Sequence, residues 1–259
     1  MDYFAHLPEG CISEILSLTS PEDTARLSAV SKRFKAAAES DSVWDRFLPP
    51  RLTDIISRSV SPVVYSSKKE LYFALCNSPI LLDDGAKLSF SLDPRSGKNC
   101  FMIAARQLDI RSGNNGDRCQ WESLPDSRFS EVAVLWKVIW LDIRCKISAN
   151  MLSATTNYAV YLVFRFVSIA YDLQLSRALV RSVSRESDRE DAQNGADNLV
   201  PLFIDRTRRL RSDGWMEVEM GSFYNDAVND GGVEAQFVEF WPLNWKRSLI
   251  VQGFEFRPK

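Results

Sequence analysis

Leu7-Pro8-Glu9-Gly10-Cys11-Ile12-Ser13-Glu14-Ile15-Leu16 is followed by Ser20-Pro21-Glu22-Asp23, Leu27, Val30-Ser31-Lys32-Arg33-Phe34 and Asp41-Ser42-Val43-Trp44. Pro8 and Glu9 suit the first turn of a helix, where a missing N–H is harmless and a carboxylate meets the positive dipole end. Ile12, Ile15 and Leu16 follow i, i+3, i+4 spacing and make one apolar stripe. Ser20 can cap a second helix, with Pro21 at its first position and Asp23 at the capping-box site. Leu27 and Val30 are expected to face inward from it. Ser31 is placed to cap the turn that carries Phe34. Asp41 or Ser42 is placed to cap a last turn with Val43, Trp44 and Phe47, which Pro49-Pro50 stops. About forty residues of such short helices cannot bury all their apolar side chains against one another. The expected result is an exposed apolar patch that includes Leu7, Pro8, Ile12, Ile15 and Leu16. Leu27, Val30 and Phe34 are expected to be shared between the small core and the patch, which marks a binding surface.

Further along, Ser67-Lys68-Lys69-Glu70 is another capping-box pattern, ahead of Leu71, Phe73, Ala74 and Leu75. From Lys87 the period changes to two, as Leu88, Phe90 and Leu92 alternate with Ser89 and Ser91. Further strands are expected at Cys100–Ala105, Ser130–Leu135, Leu141–Ile147, Ala159–Phe166, Ala178–Val183, Trp215–Met220, Val233–Phe240 and Leu249–Phe256. No amphipathic helices lie regularly between them, so a parallel βαβ sheet is disfavoured and an antiparallel two-sheet sandwich is expected. Residues 185–199 are polar and aperiodic and are expected to form a solvated loop. The organisation that follows is residues 1–48 as a helical module, 49–86 as a helical linker and 87–259 as a β-sandwich, an α+β chain.

With 45% hydrophobic and 25% charged residues and a net charge of −2, the composition is that of a globular protein with no global field toward nucleic acid or anionic membrane. No apolar run is long enough for a transmembrane helix, and the first residues lack the basic and apolar regions of a signal peptide. The nucleus and cytoplasm are therefore the expected location. Five cysteines, an odd number with no CxxC spacing, are expected to be reduced thiols. His6, the single histidine, sits at the amino terminus, so no Ser-His-Asp or Cys-His site, no metal site and no cofactor are expected. No phosphate-cradling glycine motif is present. Glu217/Glu219 and Glu234/Glu239 are the carboxylate pairs that a glycosidase could use. Glu217 and Glu219, at i, i+2, are expected to share the wet face of a strand. No enzyme activity is expected.

The opening segment resembles an F-box. Leu7-Pro8, Ile15-Leu16, Pro21 with Asp23, Leu27, Val30-Ser31-Lys32-Arg33-Phe34 and Trp44 arrive in the order of that motif. The resemblance implies a Skp-type adaptor and a cullin ubiquitin-ligase complex as partners. Leu7, Pro8, Ile12, Ile15, Leu16, Pro21, Leu27, Val30, Phe34 and Trp44 are then the adaptor-binding residues. The rest of the chain resembles the phloem protein 2 family of plants, whose Nictaba-like lectin members bind N-acetylglucosamine oligomers and N-glycan cores. The residues that carry this are Ala104-Ala105-Arg106-Gln107-Leu108, Phe129-Ser130-Glu131-Val132-Ala133, Val138-Ile139-Trp140-Leu141-Asp142-Ile143 and Tyr158-Ala159-Val160-Tyr161-Leu162-Val163-Phe164. Arg211-Ser212-Asp213-Gly214-Trp215-Met216-Glu217 and Gly253-Phe254-Glu255-Phe256-Arg257-Pro258 complete the set. The resemblance implies a jelly-roll-like antiparallel sandwich.

It also implies a substrate-recognition subunit of a Skp–cullin–F-box ubiquitin ligase that holds a target protein or glycoprotein through the lectin-like domain. The alternative it implies is a nuclear or cytoplasmic lectin. The two tryptophan positions of the sugar-binding members fall on Ser112 and Cys119, and their acidic positions on Gly232 and Glu239. Trp121 is open to packing or to ligand contact. Trp136, Trp140 and Trp215 are expected in the core, and Trp241 and Trp245 are candidates for ligand contact together with Trp121 and Glu239.

Overall fold

The computed structural model describes residues 7–83, 87–112, 119–136, 140–166, 176–183, 199–226, 231–240 and 248–259. The chain divides into two compact units. The first takes the residues up to Leu82 and Phe90–Asn99, and the second takes Asp83–Ser89 and Cys100–Lys259.

The first unit holds helices α1 (Glu9–Ser17), α2 (Pro21–Leu27), α3 (Lys32–Ala38), α4 (Asp41–Phe47), α5 (Leu52–Ser57) and α6 (Lys68–Asn77), then strand β1 (Ile80–Leu82). Three helices start where their sequence cues stand. The Ser20, Ser31 and Ser67 side chains accept from the backbone N–H of Asp23, Phe34 and Glu70. Helix α4 starts one residue earlier than expected. Ser40 occupies its cap position and its hydroxyl bonds Ser42, not the helix backbone.

Trp44 is fully buried, donates its indole N–H to the Ala38 carbonyl at 2.6 Å, and packs on Tyr72 and Phe73 of α6 at 5.2 Å between centroids. The Tyr72 hydroxyl in turn reaches the carbonyls of Asp93 and Pro94. The Asp93-Pro94-Arg95-Ser96-Gly97 turn is closed by the Asp93 carboxylate accepting from the Ser96 N–H, and Gly97 ends it at φ +68°. A Cβ at Gly97 would stand 2.7 Å from the Phe47 carbonyl oxygen, so both the turn and the close approach demand glycine.

The second unit is antiparallel β. One sheet runs β3 (Asn99–Ala104), β14 (Ser248–Pro258), β8 (Thr156–Phe166), β12 (Met216–Asn225), β11 (Arg209–Leu210). Strands β6 (Val132–Trp136) and β5 (Cys119–Glu122) continue it from the first half of β14. The other sheet runs β10 (Val200–Pro201), β9 (Arg177–Val183), β13 (Gly232–Phe240), β7 (Trp140–Ser148), β4 (Asp109–Ser112). Strand β2 (Leu88–Leu92) lies where the chain passes between the units, and a one-turn helix α7 (Ile204–Thr207) precedes β11.

Leu162, Phe164, Val218, Phe254 and Phe256 from one sheet, and Val233, Ala235, Phe237, Leu141 and Ile143 from the other, are fully buried. They follow the period of two that marks inward faces. Gly221 sits at a bulge of β12, where a Cβ would stand 3.1 Å from the Val180 side chain of β9 in the opposite sheet.

Candidate functional site

The sequence reading places one site on the first unit and one on the second. On the first, the structure sorts the ten residues into two classes. Ile12, Leu16, Phe34 and Trp44 are buried, as is Pro21 at the start of α2. The expectation that Ile12 and Leu16 belong to an exposed patch is therefore corrected. At i, i+4 with Ser13 and Ser17 they form the inward face of α1 and are consumed by the small core.

Ile15 lies off that face and is 41% exposed. Pro8 is exposed and Leu7 and Leu27 are half-buried. Val30, expected to face inward, is 67% exposed, because α2 ends at Leu27 and the turn after it carries Val30 outward. Leu18, which the motif did not single out, is 68% exposed at the end of α1. The Arg33 guanidinium donates to the Leu7 carbonyl at 2.8 Å and holds the entering segment against α3. Large apolar side chains left in water on so small a cluster are what a docking partner covers, at about 1.5–3 kcal/mol for each one fully buried.

On the second unit, Trp121 lies on β5, opposite Ala133, and is half-buried. The Arg106 guanidinium carbon sits 3.9 Å from its ring centroid and is held there by two hydrogen bonds to Glu131, at 2.9 and 3.0 Å. One ring face is thus occupied by a cation, which is a packing role.

Glu239 belongs to the other sheet. It shares the parity of Phe237, Ala235 and Val233, points inward, is buried, and accepts from the Ser176 hydroxyl. Register puts Ser112, Leu141 and Glu239 in one row across β4, β7 and β13. Two positions that the lectin resemblance singled out therefore meet at one end of this sheet. Gly232 stands at the opposite end of β13, about 23 Å away for seven residues of strand. Cys119 lies on the sheet that holds Trp121. Trp241 and Trp245 lie outside the described residues.

Trp215 is fully buried as expected, under the Arg165 guanidinium at 4.3 Å. Trp136 and Trp140 are half-buried at the ends of β6 and β7, not in the core, because each is the strand's last or first residue. Asp213 has a structural role in its Asp-Gly turn. It accepts from the Trp215 N–H at 3.0 Å, with Gly214 at φ +79°.

The carboxylate pairs are split between strand faces or engaged by basic side chains. Glu234 and Glu239, five residues apart on a regular strand, face opposite sides, and Glu234 is held by Arg181 at 2.9 Å. Glu217 is not on a wet face. It is buried and bonded by Arg211 and Arg257, at 2.9 and 2.8 Å. The same network contains Glu255, which Arg128 contacts at 2.9 Å and Arg211 at 2.5 Å. Burial alone would raise the Glu255 pKa, but Arg128, Arg211 and Arg257 outweigh it and hold the carboxyl down at about 2. No sequence signal of local range reveals this network, since its members lie up to 127 residues apart.

All five cysteines are free thiols, and burial pushes Cys119 and Cys145 up, away from the thiolate that a nucleophile needs. Among the described residues no group of three His, Cys, Asp or Glu side chains could hold a metal, and no helix is long and apolar enough to cross a membrane.

Residues 98–258 match the family described as Phloem protein 2, and residues 4–49 match the one described as F-box-like. Three proteins of Arabidopsis thaliana are similar to the chain along nearly its whole length. Putative F-box protein PP2-B12 is 41% identical, over 99% of this chain and 98% of its own. F-box protein PP2-B10 is 40% identical, over 98% and 94%. F-box protein SKIP3 is 40% identical, over 97% and 87%.

Proposed function

Because the chain belongs to the phloem protein 2 family and opens on an F-box-like segment, we propose that it is the substrate-recognition subunit of a ubiquitin ligase of the Skp–cullin–F-box type. In this reading the first unit docks on a Skp-type adaptor in the nucleus or cytoplasm, and the second unit holds the protein to be modified. The protein does no chemistry of its own. It raises the local concentration of the target at the ligase, so that transfer becomes effectively intramolecular.

The observation that carries the reading is the sorting of the F-box residues. Ile12, Leu16, Phe34 and Trp44 saturate a mini-core, while Pro8, Ile15, Leu18 and Val30 stay in water on its surface. The test is capture of a Skp-type adaptor by the full chain. Leu7→Ala with Pro8→Ala and Ile15→Ala is expected to abolish capture, and undiminished capture by this variant sinks the assigned surface.

A second reading, a lectin for glycans bearing N-acetylglucosamine, rests on the match to the phloem protein 2 family. Ser112 and Glu239 share a row at one end of the second sheet. Serine and cysteine stand where sugar-binding members carry tryptophans, and the ring face of Trp121 nearest Arg106 is taken. Titration with chitin oligomers is expected to show millimolar affinity or weaker. Micromolar saturable binding would make this the leading reading.

A further inference from the structure

Residues 199–211 run from one sheet of the second unit to the other. Strand β10 pairs with the edge of β9, Leu202 donates its N–H to the Ser176 carbonyl at 2.8 Å, α7 follows, and β11 pairs with the edge of β12. The Arg211 N–H donates to the Trp215 carbonyl at 2.8 Å and closes the far end. Ile204 is fully buried and pins the segment.

What the strap shows to solvent is unlike the rest of the unit. Val200, Phe203 and Leu210 are 64%, 59% and 78% exposed. With Tyr224 they are the only large apolar side chains that the described residues of this unit expose. The arginines around them stand out too. Elsewhere in the unit arginines are held by carboxylates, as Arg106 is by Glu131, Arg144 by Asp142 and Arg165 by Asp126. Arg206 and Arg209 on the strap, and Arg177 opposite Pro201, have no carboxylate partner among the described side chains. Arg206 instead lies 5.8 Å from the Phe203 ring centroid.

Two independent signals, exposed apolar surface and the guanidinium groups of Arg206 and Arg209 with no carboxylate partner among the described side chains, thus fall on one short segment of a chain whose net charge is −2. We propose that the 199–210 strap is a docking surface for an extended, acidic segment of a partner protein. Its carboxylates pair with Arg206, Arg209 and Arg177, and its apolar side chains cover Phe203, Val200 and Leu210. Guanidinium forks suit carboxylates held in bidentate fashion, and an aromatic–arginine surface is a common composition at interface centres. The inference rests on the reading of the second unit as the one that holds a target, and not on adaptor docking.

The test uses the full chain and fluorescein-labelled peptides that mix Asp, Glu and Leu, with an Asn/Gln/Leu version of each as control. Saturable binding of acidic peptides is expected, weakened about tenfold by Arg206→Glu with Arg209→Glu, weakened separately by Phe203→Ser, and falling with added salt. Adaptor capture by the same variants is expected to be unchanged, which separates this surface from the F-box. No binding by the wild-type chain overturns the proposal. So does equal binding of the neutral peptides, an affinity untouched by both variants, or a preference for phosphatidylserine vesicles or single-stranded DNA over the peptides.

Discussion

Gly253 sits in β14 where the register against β8 shifts, and a Cβ there would come 2.1 Å from the Ile103 carbonyl oxygen of β3. No side-chain rotation relieves a clash with backbone. Gly253→Ala is therefore expected to lose at least about 1–3 kcal/mol, read as a lower denaturant midpoint with little change in slope. Two residues on, Glu255 holds the charge network together. Its folded pKa is depressed to about 2 from an ordinary 4.5, so its contribution is fully present above the unfolded value and is lost as pH falls from about 4.5 toward 2. That contribution is up to about 3 kcal/mol. Glu255→Gln is expected to remove this acid limb from the stability–pH profile. It also leaves Arg128 without its carboxylate partner, while Arg211 keeps Glu217, at a cost of about 3–5 kcal/mol at neutral pH. Melting curves of both proteins from pH 2 to 7 check it, and an unchanged acid limb in the variant would refute the assignment.

Among the elements, α1 shows how far local pattern reaches. Its stripe of Ile12, Ile15 and Leu16 is legible from spacing, but spacing does not say which residues the neighbours consume. Contact with α3 and α4 takes Ile12 and Leu16 and leaves Ile15. The two classes should separate on mutation. Leu16→Ala is expected to cost about 2–5 kcal/mol of stability, whereas Ile15→Asp and Leu18→Asp leave the melting temperature nearly unchanged and lower adaptor capture. Circular-dichroism melts beside a pull-down distinguish them. Three helix starts were readable because a serine cap and its partner lie three residues apart. The long strands were readable from alternation, although β12 runs on to Asn225, past the expected Met220, because its bulge at Gly221 breaks the period. The two- to four-residue strands β1, β4, β5, β10 and β11 carry too few alternations to register in a sequence, and exist because a longer neighbour offers them an edge.

For the whole molecule, the proposed function places two binding events on two compact units. In a reconstituted ligase assay, the Leu7/Pro8/Ile15 alanine variant is expected to lose ubiquitin transfer while still holding the target. Arg206→Glu with Arg209→Glu is expected to lose transfer while still holding the adaptor. Either variant that loses both captures at once would break the separation. By itself the sequence determined the order of a helical module and an antiparallel sandwich, and the family resemblance. Periodicity, caps and motif order are recorded within a few neighbouring residues. Only the tertiary structure decided that Ile12 and Leu16 are core, that Glu239 points inward while Glu234 points out, that Glu217 and Glu255 are buried among arginines, and that Arg206 and Arg209 meet no carboxylate among the described side chains. Each of these depends on which strands and helices pair, and those partners are set by burial and charge neutralisation between residues far apart in the chain.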